Sequence, residues 1–530
     1  MSSVTLILDG REIEAPEGQT ILEAALEHGI SVPTLCHLNG TGKFTSCMIC
    51  VVHETQTGKL IPACSAPVQE GMRIETGNEA VQDARRHALS FLLSEHVGDC
   101  QAPCQRACPA HMDIPRMIRL IRDGRNSEAL VTIKNDIALP AVLGRICSAP
   151  CEKACKRRFH DDPVSICLLK RYTADVDLER DLPFRLEPQK RTGGSVAIVG
   201  AGPTGLAAAF HLARAGYDCV VFDRNPEPGG MLRYGVPEEK LPRSVLDAEI
   251  ERIASLGVEF RQDQTLGETL DLQDLRDTHG AVILAVGALE DGDLPVPQLE
   301  RTPRGLKVDK ATFETSVPGV FAGGSAVAPS QMAIRAVAQG KDMAHSALQY
   351  LEHRPLTGIP RRFNSVMGKP LAGEMEEFFK EAESHGRLSP EGGSGSGFRE
   401  REARDEAARC LGCDCRKPDT CKLREYADVY HASPLPFPGE ERTGFLRNVQ
   451  HDLVIYEPGK CIRCGLCVRL AKKYGEELGL TFVGRGFDVR VETPFRESLR
   501  RGLARAAAEC VAACPTAALA WKDREGSNHV

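Results

Sequence analysis

Twenty-one cysteines in a 530-residue chain, most of them in tight groups, restrict this fold more than any other feature. The groups are Cys36/Cys47/Cys50/Cys64, Cys100/Cys104/Cys108, Cys147/Cys151/Cys155, Cys410/Cys413/Cys415/Cys421, and Cys461/Cys464/Cys467 with Cys514. Such density means disulfides or metal. Met1–Thr20 lacks the basic-then-apolar pattern of an export signal, and no apolar stretch has the length of a bilayer span. A cytoplasmic setting is therefore expected, where thiols stay reduced and grouped cysteines more often bind metal. The net charge of −7, with 26% charged and 42% hydrophobic residues, fits an ordinary soluble protein and gives no reason to expect nucleic acid.

The length allows three or four domains. Val4–Leu8 alternates into an Asp9-Gly10 turn and returns through Arg11–Ala15, a hairpin signature. Thr20-Ile-Leu-Glu23 is a capping box that opens a helix ending at Gly29. Ile114–Ile121 and Ala129–Ile137 carry apolar residues at helical steps. Residues 194–350 show an α/β pattern, and Gly386–Phe398 (GRLSPEGGSGSGF) is expected to be a flexible linker.

The first cysteine group, C-x10-C-x2-C-x13-C, offers the two thiolates per iron that a [2Fe–2S] cluster needs; a structural zinc is the alternative. With its β-grasp signals it resembles the N-terminal domain of the large iron–sulfur subunit of respiratory NADH dehydrogenase and its hydrogenase and formate dehydrogenase relatives. The second and third groups, with Cys108-Pro109 and Asp113-Ile-Pro115, resemble the helical domain of the glutamate synthase small subunit and dihydropyrimidine dehydrogenase. That resemblance implies two [4Fe–4S] clusters, one on Cys100, Cys104 and Cys155 and the other on Cys108, Cys147 and Cys151. Each is one ligand short. His96, four residues before Cys100, is a candidate for the first or else a surface histidine. For the second, Lys170 cannot ligate while protonated, which leaves Cys167 or water.

Cys410/Cys413/Cys415/Cys421 packs four thiols into twelve residues, suiting a further iron–sulfur cluster or zinc. The last group resembles a bacterial-type ferredoxin with half its metal lost. Ala471, Ala504 and Ala507 stand where ligands would be, and Cys461, Cys464, Cys467 and Cys514 complete one [4Fe–4S] set. Cys510 is left over, and Cys219 is expected in a core.

Between these groups, the strand Val196–Val199 runs into Gly200-Ala-Gly202-Pro203-Thr204-Gly205 and a helix, and Asp223 closes the next strand. Glycines there let a pyrophosphate approach the helix N-terminus, and Asp223 is placed to accept ribose hydroxyls. Gly229-Gly230, Gly287 after the strand Ala281–Val286, and the closing Gly324 with Ser325 resemble the flavin domain of the glutamate synthase small subunit, which implies FAD; a fold that has lost its cofactor is the alternative. The family has Asp where this chain has Ser325. Its second nucleotide domain, which binds NAD(P)H, should lie between Gly287 and Val317, but only 29 residues separate them.

These signals give a multidomain α/β and α+β chain: a β-grasp [2Fe–2S] domain over 1–78, a helical double-[4Fe–4S] domain over 79–190 and a Rossmann-like FAD domain without the NAD(P)H insertion over 191–385. The linker over 386–398, a cysteine-rich segment over 399–450 and a ferredoxin-like domain over 451–530 follow. The expected cofactors are FAD, one [2Fe–2S], three [4Fe–4S] and the further cluster or zinc. The resemblances imply an electron-transfer subunit of a hydrogenase, formate dehydrogenase or NADH dehydrogenase type complex, working with ferredoxin or a nicotinamide-binding subunit. A glutamate synthase small-subunit-like reductase component and a cluster-bearing scaffold are the alternatives. No catalytic acid or base stands out.

Overall fold

The computed structural model describes residues 2–180, 190–289, 296–393, 395–435, 437 and 442–522. The chain forms two compact units, one of residues 1–101, 362–381 and 413–530, the other of residues 102–361 and 382–412.

In the first unit, the alternating N-terminal residues form the hairpin Ser3–Leu8 and Arg11–Pro16, with Leu6 opposite Ile13. A five-stranded mixed sheet is completed by Arg73–Glu75, Val51–Glu54 and Lys59–Pro62. The capping box is realised: Thr20 Oγ1 accepts from the Glu23 N–H, and the Glu23 carboxylate accepts from the Thr20 N–H at 2.8 Å. Helix Ile21–Glu27 then buries Ile21, Leu22, Ala24 and Ala25 against Leu6, Leu8 and Ile74. The helix Glu79–Ser94, capped by Asn78, belongs to this unit: Arg85 donates to the Val51 carbonyl at 2.8 Å. The first segment of this unit runs to residue 101. Its C-terminal part pairs Val454–Tyr456 with Leu519–Trp521 and packs helices Leu466–Lys473 and Ala507–Ala513 around Leu470, Leu503 and Val511.

The second unit combines short helices with a five-stranded parallel sheet. The strands lie in the order Val320–Ala322, Ala281–Leu284, Ser195–Val199, Asp218–Phe222, Glu259–Arg261. Their apolar runs are buried on both faces, as parallel strands require. Helices Pro203–Arg214 and Ala333–Leu351 pack closely because Gly340 faces the Thr204 carbonyl, where a side chain would overlap it. Ile114–Arg122 and Asn126–Lys134 are helical as their periodicity predicts. Between Ala281–Leu284 and Val320–Ala322 the described residues contain only the hairpin Arg301–Thr302/Gly305–Leu306; residues 290–295 lie outside the description.

The segment expected as a linker is held down. Phe398 is buried in the core, Leu388 N–H donates to Glu406 at 2.9 Å, and the Gly395 and Ser396 carbonyls accept from Arg171. The buried guanidinium of Arg157 donates to the Glu383, His385 and Arg409 carbonyls, while Arg409 pairs with buried Glu406 at 2.9 Å. A glycine- and serine-rich stretch signals flexibility only when nothing binds its carbonyls; here arginines do.

Candidate metal and nucleotide sites

Among the described residues no three His, Cys, Asp or Glu side chains already converge in a metal-binding geometry. What the structure contains is thiols bonded to thiols, and the donor sets these form. Cys47 and Cys64 donate hydrogen bonds to Cys36, and Cys64 also bonds to Cys50. Those bonds pull Cys36 far below the ordinary thiol range and Cys50 down to about 7, while Cys47 and Cys64 rise as donors. All four are buried. A set of four buried soft donors, with Cys36 and Cys50 drawn toward the thiolate, fits iron or zinc. Arg469 donates to the Cys36 carbonyl at 2.7 Å, fixing the loop without touching the sulfurs.

Cys461, Cys464, Cys467 and Cys514 line one cavity of about 350 Å³, mouth included, whose other walls include Tyr456, Ile462 and Leu519. Burial first, then the neighbouring thiols, raises Cys464 to about 12 and Cys467 well above its ordinary value. Softness and the convergence of four thiols on one cavity fit a cubane. Cys510 does not line this cavity; it is 1% exposed and its thiol faces the Cys467 carbonyl.

Cys100 is placed beside Cys415 and Cys421. The Cys415 N–H donates to the Cys100 carbonyl at 3.2 Å, and Ser365 N–H points at the Cys100 sulfur at 3.4 Å. Burial raises Cys421 to about 12, with Cys415, Cys100 and Cys514 adding to it. His96 is held neutral, lowered to about 4 by burial and Lys460, and its buried Nδ1 has no hydrogen-bond partner among the described residues. In the second unit, burial raises Cys155, with Cys410 adding to it. Cys100 belongs to the first unit and Cys155 to the second, and the division leaves Cys410 in the second unit and Cys413, Cys415 and Cys421 in the first.

Four other thiols of the second unit lie near one lysine. Cys147 bonds to Cys167 and Cys167 to Cys151, and Cys108, Cys147, Cys151 and Cys167 all act on the buried ammonium of Lys170. Burial alone would lower Lys170, but the four thiols together hold it above its ordinary value.

The glycine loop is tightly built. A Cβ on Gly205 would overlap the Gly200 carbonyl, and one on Gly230 would lie 2.7 Å from the Gly202 Cα. Pro203 and Thr204 open the helix, whose N-cap Gly202 leaves its first N–H groups without a side-chain cap. The Asp223 carboxylate is buried and accepts from Ala201 N–H at 2.6 Å and Asn225 N–H at 2.8 Å, so it braces the loop. Gly229 N–H donates to the Ala201 carbonyl at 2.9 Å, bringing the Gly229-Gly230 turn to the loop. Gly287 follows the strand at φ 87°. Gly324 N–H donates to Gln339 at 2.7 Å, and Ser325 sits half-buried in the turn Gly324–Ala326. Gln339, on the helix after the closing motif, carries no sequence signal of its own. This small-residue cradle at a helix N-terminus, at the carboxyl end of parallel strands, fits a dinucleotide pyrophosphate.

Residues 1–79 match the family model of a 2Fe–2S iron–sulfur cluster binding domain. Residues 70–182 match that of dihydropyrimidine dehydrogenase domain II, 4Fe–4S cluster, and residues 198–250 that of an NAD(P)-binding Rossmann-like domain. The chain carries both kinds of iron–sulfur domain and a nucleotide-binding fold. Among its relatives is the NADPH-Fe(3+) oxidoreductase subunit beta of Geobacter sulfurreducens, 41% identical over 220 residues, which are 40% of this chain and 33% of that protein. The NADP(+)-dependent formate dehydrogenase subunit beta of Moorella thermoacetica is 40% identical over 209 residues, 35% of this chain and 29% of the relative. The glutamate synthase [NADPH] small chain of Mycobacterium tuberculosis is 39% identical over 203 residues, 38% and 42% respectively. The chain spans about a third to less than half the length of these relatives. No helix among the described residues is long and apolar enough to cross a membrane.

Proposed function

We propose that this chain is an electron-transfer subunit of a multi-subunit oxidoreductase, with FAD on the glycine cradle, a [2Fe–2S] cluster on Cys36, Cys47, Cys50 and Cys64, and [4Fe–4S] clusters on the other thiol sets. The observation that carries this reading is the succession of thiol sets within the first unit: Cys36, Cys47, Cys421 and Cys464 lie in one buried cluster, the Arg469 guanidinium donates to both the Cys36 and the Cys464 carbonyls, and the Leu423 N–H donates to the Pro515 carbonyl next to Cys514. Thiol sets packed in one buried cluster are close enough to pass electrons between the cofactors they would hold. A flavin exchanges one or two electrons whereas clusters exchange one, so the pairing suits a junction between hydride and single-electron carriers. The protein's own part is to bury the thiols, exclude water and set local charge.

The relatives named as formate dehydrogenase and iron oxidoreductase subunits favour a complex of that type in the cytoplasm, with ferredoxin or a nicotinamide-binding subunit as partner. The similarity to a glutamate synthase small chain supports a second reading, a reductase component. The short connection between Ala281–Leu284 and Val320–Ala322 favours nicotinamide entry through a partner in both. The test is anaerobic purification of the full chain with its clusters reconstituted, followed by flavin release and reduction. FAD in the supernatant, with bleaching by dithionite and slow bleaching by NADH or NADPH, is expected. A flavin-free chain would point to the scaffold and overturn the reading; rapid bleaching by NADPH alone would overturn the need for a nicotinamide-binding partner.

A further inference from the structure

Cys167 belongs to none of the spaced cysteine groups, and Lys170, one helical turn further on, is a buried cation of no evident function. The two occupy one place. Helix Ile166–Leu178 begins at Cys167's own turn, so Cys167 and Lys170, three residues apart, lie on one face. The helix start is tied down by Glu152: one carboxylate oxygen accepts from the Cys167 N–H at 2.9 Å, the other from Arg387 at 2.8 Å. Glu152 directly follows Cys151 in the short helix Pro150–Lys153. The bond therefore draws the Cys167 and Cys151 thiols together, and a thiol–thiol hydrogen bond joins them. A second such bond joins Cys167 to Cys147. Cys108 is the fourth thiol close enough to act on the ammonium.

We propose that Cys167 is the fourth thiolate of a [4Fe–4S] site with Cys108, Cys147 and Cys151, and that Lys170 is the counter-charge built into it. The inference rests on the reading of this region as a [4Fe–4S] domain. Three thiols leave one iron of a cubane open, and the side chain that bridges two of the three is best placed to close it. On ligation each thiol gives its proton to solvent as its sulfur donates a lone pair to iron, a ligand exchange that changes no oxidation state. A cluster with four thiolate ligands is an anion in a low-dielectric interior, a costly arrangement unless a cation is buried beside it. Lys170 has no part in ligation: an ammonium has no free lone pair. Its bland alternative, a lysine satisfied by surrounding polar groups, does not explain why the groups acting on it most strongly after burial are four cysteines.

The test uses the full chain, reconstituted anaerobically with ferrous iron and sulfide, as wild type and as Cys167→Ala, Cys167→Ser, Lys170→Gln and Cys219→Ala. Cys219 is a buried thiol in the strand Asp218–Phe222, outside every ligand set. Iron and sulfide per chain are measured with the electron paramagnetic resonance of oxidised and reduced samples; circular dichroism reports folding. Cys167→Ala is expected to lose one cluster or convert it to a three-iron form with a signal in the oxidised state. Cys219→Ala keeps all its iron. Lys170→Gln keeps its iron while one cluster becomes harder to reduce. Unchanged iron and spectra in both folded Cys167 variants would overturn the ligand assignment, and an unchanged potential in Lys170→Gln the counter-charge. A folded wild type that takes up no [4Fe–4S] iron would instead sink the domain reading itself.

Discussion

In the first unit, the thiols of Cys36, Cys47, Cys50 and Cys64 come from 29 consecutive residues. Thiol–thiol bonds draw Cys36 and Cys50 toward the thiolate, and the Arg469 guanidinium binds the Cys36 carbonyl rather than sulfur. In the second, Cys108, Cys147, Cys151 and Cys167 come from a 60-residue span and four helical segments, two of them at the C-cap, and a lysine sits among them. The first arrangement is a loop closing on itself. The second is gathered by helices and their ends, with a buried ammonium beside its thiols. The buried loop set is met by backbone N–H groups, whereas the helical set has a side-chain cation of its own.

The largest effect that would break this comparison is at the loop. Cys64 bonds to two other thiols, so Cys64→Ala should abolish the [2Fe–2S] site outright, with the loss of about two irons per chain and of the corresponding visible absorption. Retention of both irons would mean that the loop does not work as one unit. Next comes the counter-charge. Replacing Lys170 with Met removes a positive charge a few ångströms from the sulfurs. At an effective dielectric near 20 that is worth a few kcal/mol, or a fall in potential on the order of 100 mV for the cluster in the second unit. The [2Fe–2S] potential should stay put. A redox titration followed by electron paramagnetic resonance separates the two, and an equal shift of both would erase the contrast.

How much of this could be read from the sequence follows from the same difference. The C-x10-C-x2-C-x13-C group and the glycine loop are local patterns, and both fold where expected because their chemistry depends on short spacing. Cys167 and Lys170 carry no spacing signal; a single N–H bond to Glu152 and a helix start bring them to Cys151. The segment 386–398 failed as a linker for the same reason. Its composition suggests flexibility, while Arg157, Arg171 and Arg409, far away in sequence, bind its carbonyls and neighbours. Pairings between distant residues decide these features, and composition is blind to them.

Acid sensitivity should differ as well, by a smaller amount. In the second unit His211 is buried with no partner for Nε2 among the described residues; burial, then Lys341 and Arg214, lowers it to about 3. Its folded-state value lies below the unfolded one, so the stability it allows is present above about pH 6.5 and is lost as pH falls toward 3. In the first unit Glu374 is desolvated, yet Arg442 and the Phe445 and Leu371 N–H groups outweigh this and hold it at about 2. Its contribution is kept down to about pH 4.5 and lost between there and 2. Hydrogen exchange along an acid titration should thus show the helix Pro203–Arg214 loosening at a higher pH than the Glu374 region. His211→Leu should remove the early phase, worth about 2 kcal/mol; coincident loosening in both regions would contradict it.

The smallest expected effect sharpens the comparison most, because it concerns the first unit's own leftover cysteine. By sequence Cys510 and Cys167 look alike, each a thiol outside a complete spacing. In the structure Cys510 is 1% exposed among Leu470, Leu503 and Val511, and its thiol faces the Cys467 carbonyl at 3.7 Å, away from the cavity lining. It touches the ligand set through the backbone, so it positions Cys467 without offering iron a donor. Cys510→Ser should therefore leave iron, sulfide and spectra unchanged and cost about 1 kcal/mol for a hydroxyl in an apolar site, read from the thermal midpoint. Cys510→Ala should cost a similar amount through the small void it leaves. If either variant lost a cluster, packing alone would not distinguish a spare thiol from a ligand, and the assignment of Cys167 would need its own spectroscopic proof rather than contact geometry.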